Sequence, residues 1–249
     1  MTARRTAGTR KVADPAQADL DPRGDRVTEA YHQLRELIVR GRMAPGTRII
    51  ETDVAAKLGV SRTPVRGALQ RLQQEGYIVA SGSGQQSRLA VAPLTQEDAR
   101  ELFALVAEIE GLGARWSAEL DEDPRAEVVD GLRHHNEQLA RAATEPRADH
   151  QVVFTEDMAF HRRYVEGAAG PRLLALHDAI KPQTERYVRL YISALVDEIG
   201  TSVREHTVII DAIAVGAGEA AQSAVRTNWQ NAATRLARVI ASLGERGTW

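Results

Sequence analysis

The chain has 249 residues, 43% of them hydrophobic, 27% charged and none of them cysteine. This suits one large or two ordinary domains with buried cores. The lack of cysteine excludes disulfides, thiolate nucleophiles and Cys-based zinc sites, and fits a reducing cytoplasm. No run reaches the ~18–20 apolar residues that span a bilayer. The net charge of −2 divides at Pro93: residues 1–92 hold 15 Lys and Arg against 9 Asp and Glu, and the remainder 17 against 25. A basic head on an acidic body is the charge distribution of a two-domain DNA-binding regulator.

Residues 1–25 are rich in Ala, Arg, Asp and Pro without an apolar core, so they read as a disordered arm and not as a signal peptide or anchor. From 26 to 92 the pattern is that of a winged helix-turn-helix domain. A helix from Arg26 to Gly41 places Val27, Ala30, Tyr31, Leu34, Leu37 and Ile38 on one stripe. Ala44-Pro45-Gly46 ends it, and Arg48-Ile49-Ile50 reads as a short strand beside the wing.

Leu58-Gly59-Val60-Ser61-Arg62-Thr63-Pro64-Val65-Arg66 then writes a helix end, a glycine turn and a new helix start into nine residues. Ser61 suits the N-cap, and Pro64 falls in the first turn where its missing N–H does little harm. Val65, Ala68, Leu69 and Leu72 form an apolar face, leaving Arg62, Thr63 and Arg66 on the other. That is where a recognition helix reaches base edges, and a guanidinium fork can bond O6 and N7 of guanine together. Tyr77–Ala80 and Ser87–Val91, around a Gly/Ser-rich turn, predict a hairpin wing. The predicted DNA-facing set is Ser61, Arg62, Thr63 and Arg66, with Arg48, Gln85 and Arg88 beside them.

Beyond Pro93 only helical periodicity is present, and 93–249 reads as an antiparallel bundle of six or seven helices. Thr95 and Asp98 suggest a capping box opening the first. Later segments cover about 124–143, 149–167, 171–197, 201–215 and 217–243, with Pro182 expected to bend or divide the fourth. Asp157 and His161 stand four apart on one helix face, and His206 lies on a later helix among apolar neighbours. Two imidazoles and a carboxylate suit a divalent metal, although such an i,i+4 pair alone is more often a surface hydrogen bond. His134, His135, His150 and His177 read as structural or exposed. Arg186, Tyr187, Arg189 and Tyr191 suit a cavity wall or ordinary packing equally well.

The residues from about 27 to 240 resemble GntR-type transcriptional regulators of the FadR subfamily, which carry an all-helical FCD domain. In the head the resemblance runs through Ala44-Pro45-Gly46, Glu51, Val54-Ala55, the Leu58–Arg66 segment, Ala68-Leu69, Arg71-Leu72 and Glu75-Gly76. In the body it runs through Asp157, Phe160-His161, Glu205-His206, Ile210, Ala212-Ile213 and Glu219-Ala220-Ala221. It implies a homodimer on a palindromic double-stranded operator, with the body sensing a small effector such as an organic acid; the function expected on this basis is a ligand-responsive repressor. It also implies a divalent metal, zinc or nickel, on Asp157, His161, His206 and a fourth imidazole, at whose position this chain has Asn228. Two further departures are Val106, where the family places an inward Arg, and Gly67, where it has Glu. A metal-dependent enzyme on the helical domain and a ligand-independent DNA-binding dimer are the competing readings.

Overall fold

The computed structural model describes residues 22–81, 88–145 and 149–248. The head comprises α1 (Pro22–Val39), α2 (Glu51–Leu58), α3 (Arg62–Gln74) and a hairpin of β1 (Ile78–Ser81) and β2 (Arg88–Val91). Ile78 pairs antiparallel with Val91 and Ser81 with Arg88. α1 begins at Pro22, inside the predicted arm: proline is well suited to a helix start, and the helix begins four residues before the expected Arg26. The segment 48–50 is not a strand of its own. Arg48 forms an isolated bridge with Ala90, flanked by Gly46 N–H donating to Val91 O at 2.9 Å and Ile49 N–H to Leu89 O at 2.8 Å, so the segment lies along the wing without being a strand.

Ala30, Tyr31, Leu34 and Ile38 of α1 close over Val65, Ala68, Leu69 and Leu72 of α3, with Tyr77 and Val91 sealing the core from the wing. Gly59 takes φ +67 in the turn between α2 and α3, a left-handed conformation that costs glycine nothing. Gly67 lies under α1: a Cβ there would sit 3.0 Å from Val27 Cγ1, so the helix pair has closed onto the missing side chain.

The body comprises α4 (Gln96–Ala118), α5 (Glu122–Thr144), α6 (His150–Ala168), α7 (Pro171–Leu195), a 3-10 turn (Val196–Glu198), α8 (Ile199–Ala214) and α9 (Gly218–Leu243). Thr95 caps α4 by accepting from Asp98 N–H, but the return bond of a capping box is taken over by Tyr187. Its hydroxyl accepts from Thr95 N–H and donates to Asp98 Oδ2. Val106, Phe160, Tyr164, Ile213, Val225 and Trp229 lie in the common core. Pro182 does not divide α7, which runs unbroken for 25 residues. An internal proline costs a helix ~3 kcal/mol, so tertiary contacts must offset it.

Among the described residues, head and body touch along three routes. Arg186 Nη2 donates to Ala92 O of the connecting segment at 2.7 Å. Arg35 of α1 and Gln183 of α7 donate across the interface to Asp178 O and Glu75 O, at 2.7 and 3.0 Å. Residues Gly244–Gly247 fold back, with Leu94 and Arg246 exchanging backbone hydrogen bonds. Gly247 packs so closely on Pro45–Gly46 that a Cβ would fall 2.5 Å from Gly46 N.

At the centre of the bundle Glu110, with no exposed side-chain surface, receives five donors. His177 Nε2 (3.1 Å) and Lys181 Nζ (2.6 Å) reach Oε1, while His161 Nδ1, Tyr164 Oη and Trp229 Nε1 reach Oε2, each at 2.7 Å. Burial opposes the negative charge, but the Lys181 ammonium and the two imidazoles outweigh it and hold the carboxyl well below its ordinary range. The cluster joins α4, α6, α7 and α9. Replacing Glu110 by Gln leaves Lys181 buried without a counter-charge, and is expected to cost ~3–5 kcal/mol in urea unfolding. A change below 1 kcal/mol would show that the five donors do not act as one network.

Candidate DNA-reading face and metal centre

Two regions gather the polar groups singled out in the sequence. On the head, Ser61 is the N-cap of α3 with extended φ and ψ, but its side chain makes no capping hydrogen bond. The hydroxyl therefore remains on the surface beside Arg62 and Thr63. Val65 and Pro64 are buried and turn α3 so that Arg62 and Arg66 project outward, with side chains 62% and 66% exposed. Both guanidinium groups are gathered by one carboxylate at the start of α2. Arg66 donates from Nε and Nη2 to the two oxygens of Glu51, at 3.2 and 3.0 Å, and Arg62 Nη2 lies 3.7 Å away. The Arg66 hydrogen bond keeps the Glu51 carboxyl below its ordinary range. Local spacing does not show Glu51 acting on the arginines, because it stands 11 and 15 positions before them in another helix.

Arg48 and Arg88 are exposed near the wing and α2, whereas Gln85 lies outside the described residues. Ser61, Arg62, Thr63 and Arg66 thus share one exposed surface at the N-terminus of α3. That surface offers cationic forks and hydroxyl donors on a rigid rod, the equipment needed for groove recognition.

In the body, α6 brings Asp157 and His161 to the wall of a small cavity, and α8 sets the buried His206 against the pair. One donor atom from each lies within 4.8 Å of the others. His206 Nδ1 is 3.2 Å from Asn136 Oδ1, whose amide nitrogen is itself committed to Val203 O and Thr207 Oγ1, so the imidazole must donate there. Nε2 is then left as a lone pair, buried, with no hydrogen-bond partner and 3.7 Å from Asp157 Oδ1. Burial, followed by the neighbouring His161, drives the His206 pKa well below its ordinary value, so this ring is neutral. Phe160 stacks on it, with centroids 3.8 Å apart.

His161 commits Nδ1 to Glu110, which leaves Nε2 for the cluster. An imidazole fixed through one nitrogen by an outer carboxylate or amide is the usual arrangement of a metal ligand. Asn228, on α9, donates Nδ2 to Glu205 Oε2 at 2.8 Å. This fixes the amide orientation, because the flipped form would set its oxygen against a carboxylate, and leaves the carbonyl oxygen to the cavity it lines. Asp157, 21% exposed to that cavity, has its carboxyl pushed up by burial. The cavity measures about 70 Å³ and is also lined by Arg235, Ser202 and Trp229. The donor set fits a divalent cation, and the orphaned His206 nitrogen is what a cation would satisfy.

Sequence reasoning missed the five-donor role of Glu110, and with it Lys181 and His177. His177, read as structural or exposed, is structural: it is buried, accepting from Arg162 on Nδ1 and donating to Glu110 from Nε2. Val106 is plain core at 1% exposure, so no cation stands at the family's arginine position. The cationic side chain on the cavity wall is Arg235, held by two bonds to Glu205 at 3.0 and 3.1 Å. Tyr187 and Tyr191 do not line the cavity: they tie down the connecting segment and Gly244. Arg189 lies over the Phe154 ring.

Comparison with known proteins agrees with this architecture. Residues 26–84 match the model of bacterial regulatory proteins of the gntR family, and residues 88–231 match the FCD domain. An HTH-type transcriptional regulator from the TAR-I ttuE-ttuC' intergenic region of Agrobacterium vitis is 32% identical over 167 residues, covering 66% of this chain and 94% of that protein. The gluconate operon transcriptional repressor of Bacillus subtilis (strain 168) is 26% identical, covering 67% of this chain and 65% of that protein. Among solved structures, a GntR transcriptional regulator from Rhodococcus sp. RHA1 is 26% identical with a TM-score of 0.63, covering 85% of this chain and 97% of its own. Escherichia coli McbR/YncC, 17% identical with a TM-score of 0.66 over 86% of this chain and 97% of its own, shares the fold. These matches are to regulators, not to enzymes, and no helix among the described residues is long and apolar enough to cross a membrane. A winged head carrying outward arginines, joined to a six-helix body, thus places this chain in the GntR family, among its FCD-domain members, as a DNA-binding transcriptional regulator.

Proposed function

We propose that this regulator works in the cytoplasm as a homodimeric repressor of a palindromic operator, and that a small organic acid and a divalent cation in the body set its affinity for DNA. The observation that carries the sensing half is the buried, partnerless His206 Nε2 beside Asp157 and His161. Asp157, His161 and His206 hold the cation, with the Asn228 oxygen as a fourth donor. Two imidazoles with two oxygen donors suit zinc or nickel, more weakly than three imidazoles would. When bound, the cation supplies an open coordination position for an effector carboxylate. Arg235 and Ser202 stand on the same wall to orient that group. At ~10–15 Å³ per water-sized group, the cavity suits an acid of a few carbons and excludes long acyl chains.

The reading half rests on Arg62 and Arg66, with Ser61, Thr63, Arg48, Gln85 and Arg88 as flanking contacts. Glu51 holds the two forks ready and yields them to guanine edges. For dimerisation, α4 presents Leu105, Ile109, Leu112 and Trp116 along one side, with Leu105 45% and Trp116 38% exposed. This spacing of four, three and four makes one continuous apolar stripe, and a second copy would cover it.

Four experiments test these assignments. Arg66→Ala should weaken binding to the preferred duplex by ~1–3 kcal/mol and relax base choice at one position per half-site. Glu51→Gln should tighten binding to scrambled DNA while narrowing the gap to the preferred site; an unchanged gap in competition titrations removes Glu51 from recognition. Elemental analysis of tag-free protein should find one divalent metal per chain, lost in His161→Ala and His206→Ala. Chelation should lower the melting temperature of wild type alone, since a ligand selective for the native state stabilises it. Trp116→Glu should yield monomers in sedimentation, and a persistent dimer would move the interface elsewhere.

A further inference from the structure

We propose that the two-turn stretch of α7 from His177 to Gln183 couples the body cavity to the DNA-reading head, and that Pro182 opens the connection. The inference rests on the reading above, that the cavity binds a ligand. In a regular helix the carbonyl oxygen of Asp178 would accept from the N–H of residue 182. Proline has no N–H, so Asp178 O stands free, and Arg35 of α1 donates Nη2 to it at 2.7 Å. The same guanidinium donates Nε to Tyr77 Oη at 3.2 Å, at the root of the wing. One residue beyond the proline, Gln183 Nε2 donates to Glu75 O at 3.0 Å, and Glu75 is the C-cap of α3.

The inward side of this stretch is bound just as specifically. His177 and Lys181, four residues apart, both donate to Glu110 Oε1. The other oxygen of that carboxylate holds His161, which reaches into the cavity. A ligand that draws on His161 therefore pulls on a carboxylate whose opposite oxygen is fixed to α7. The outward groups of that stretch grip α1 and the end of the recognition helix. Grooves on either side of Pro182, one between α6 and α7 and one between α1 and α7, leave the stretch room to shift.

Pro182→Ala returns the missing N–H and lets Asp178 O pair within α7, in competition with Arg35. Gln183→Leu removes the second contact. The test uses the full chain, zinc as the probe, and a duplex enriched by the wild-type protein from random sequence. For wild type, zinc should change duplex affinity by about 5–150-fold. In the Pro182→Ala/Gln183→Leu protein, zinc binding and zinc-free duplex affinity should match wild type, the melting temperature should be no lower, and the zinc effect should fall to near unity. A double variant that keeps the full zinc effect overturns the proposal.

Hydrogen exchange over Arg26–Val39 and Arg71–Tyr77 separates this coupling from the ligand reading. Glu110→Gln, or Lys181→Met should the first fail to fold, perturbs the same stretch without metal. If zinc leaves the head unaffected while Glu110→Gln loosens these segments only when Pro182 and Gln183 are present, the ligand reading fails and the coupling stands. If neither perturbation reaches the head, or both reach it equally in the double variant, the coupling fails.

Discussion

A buried carboxylate is tolerated only when its charge and lone pairs are fully engaged. Glu110 meets that condition with five donors from three helices, α6, α7 and α9, against its own α4. Its engagement decides where everything around it sits. The His161 ring is fixed by Nδ1, which leaves Nε2 for the cluster with Asp157 and His206. Trp229 is fixed by its indole N–H, and its ring lies 4.3 Å from the Lys181 ammonium. Because half-satisfied polar networks cost more than apolar cores, the cluster specifies one arrangement of the four helices rather than merely adding cohesion.

The head is organised on a different principle. Its core is apolar, apart from tyrosine hydroxyls at the rim, and stability there comes from α1 and the wing closing over the inner side of α3. The polar chemistry is kept outside, where one acidic residue restrains two cations. Exposed pairs of this sort contribute little to stability. On the proposed function, their value would lie in restraining long side chains before a duplex is met, which lowers the ordering cost on binding.

Much of this was legible in the sequence because it depends on local spacing. The helix-turn-helix follows from Gly59, Pro64 and the apolar period of α3, and the hairpin from two β-prone runs about a turn. Asp157 and His161 are legible as an i,i+4 pair. What the sequence concealed is long-range and polar. Glu110 sits in a helix beside Ile109 like any surface glutamate, and only packing sets it 67 and 71 residues away against His177 and Lys181. Pro182 reads as a helix breaker on local grounds, yet α7 is continuous, with Arg35 of the head donating to the Asp178 carbonyl that the proline leaves unpaired. Ser61 shows the reverse case: the backbone takes the N-cap geometry its residue type implies, while the side chain makes no capping bond.

The fold-back of Gly244–Gly247 bears on how such a molecule can move. This strip pairs with Leu94 and rests on Pro45–Gly46, while Arg186 holds Ala92 and the stretch around Pro182 holds α1 and α3. With three independent moorings, the winged unit does not dangle on a tether whose slack would blur the distance between two copies. It is carried as part of one lever, and in a symmetric pair the register between half-sites would then be dictated by how the bodies meet, so that a small tilt of each lever is enough to mis-space both tips on the duplex.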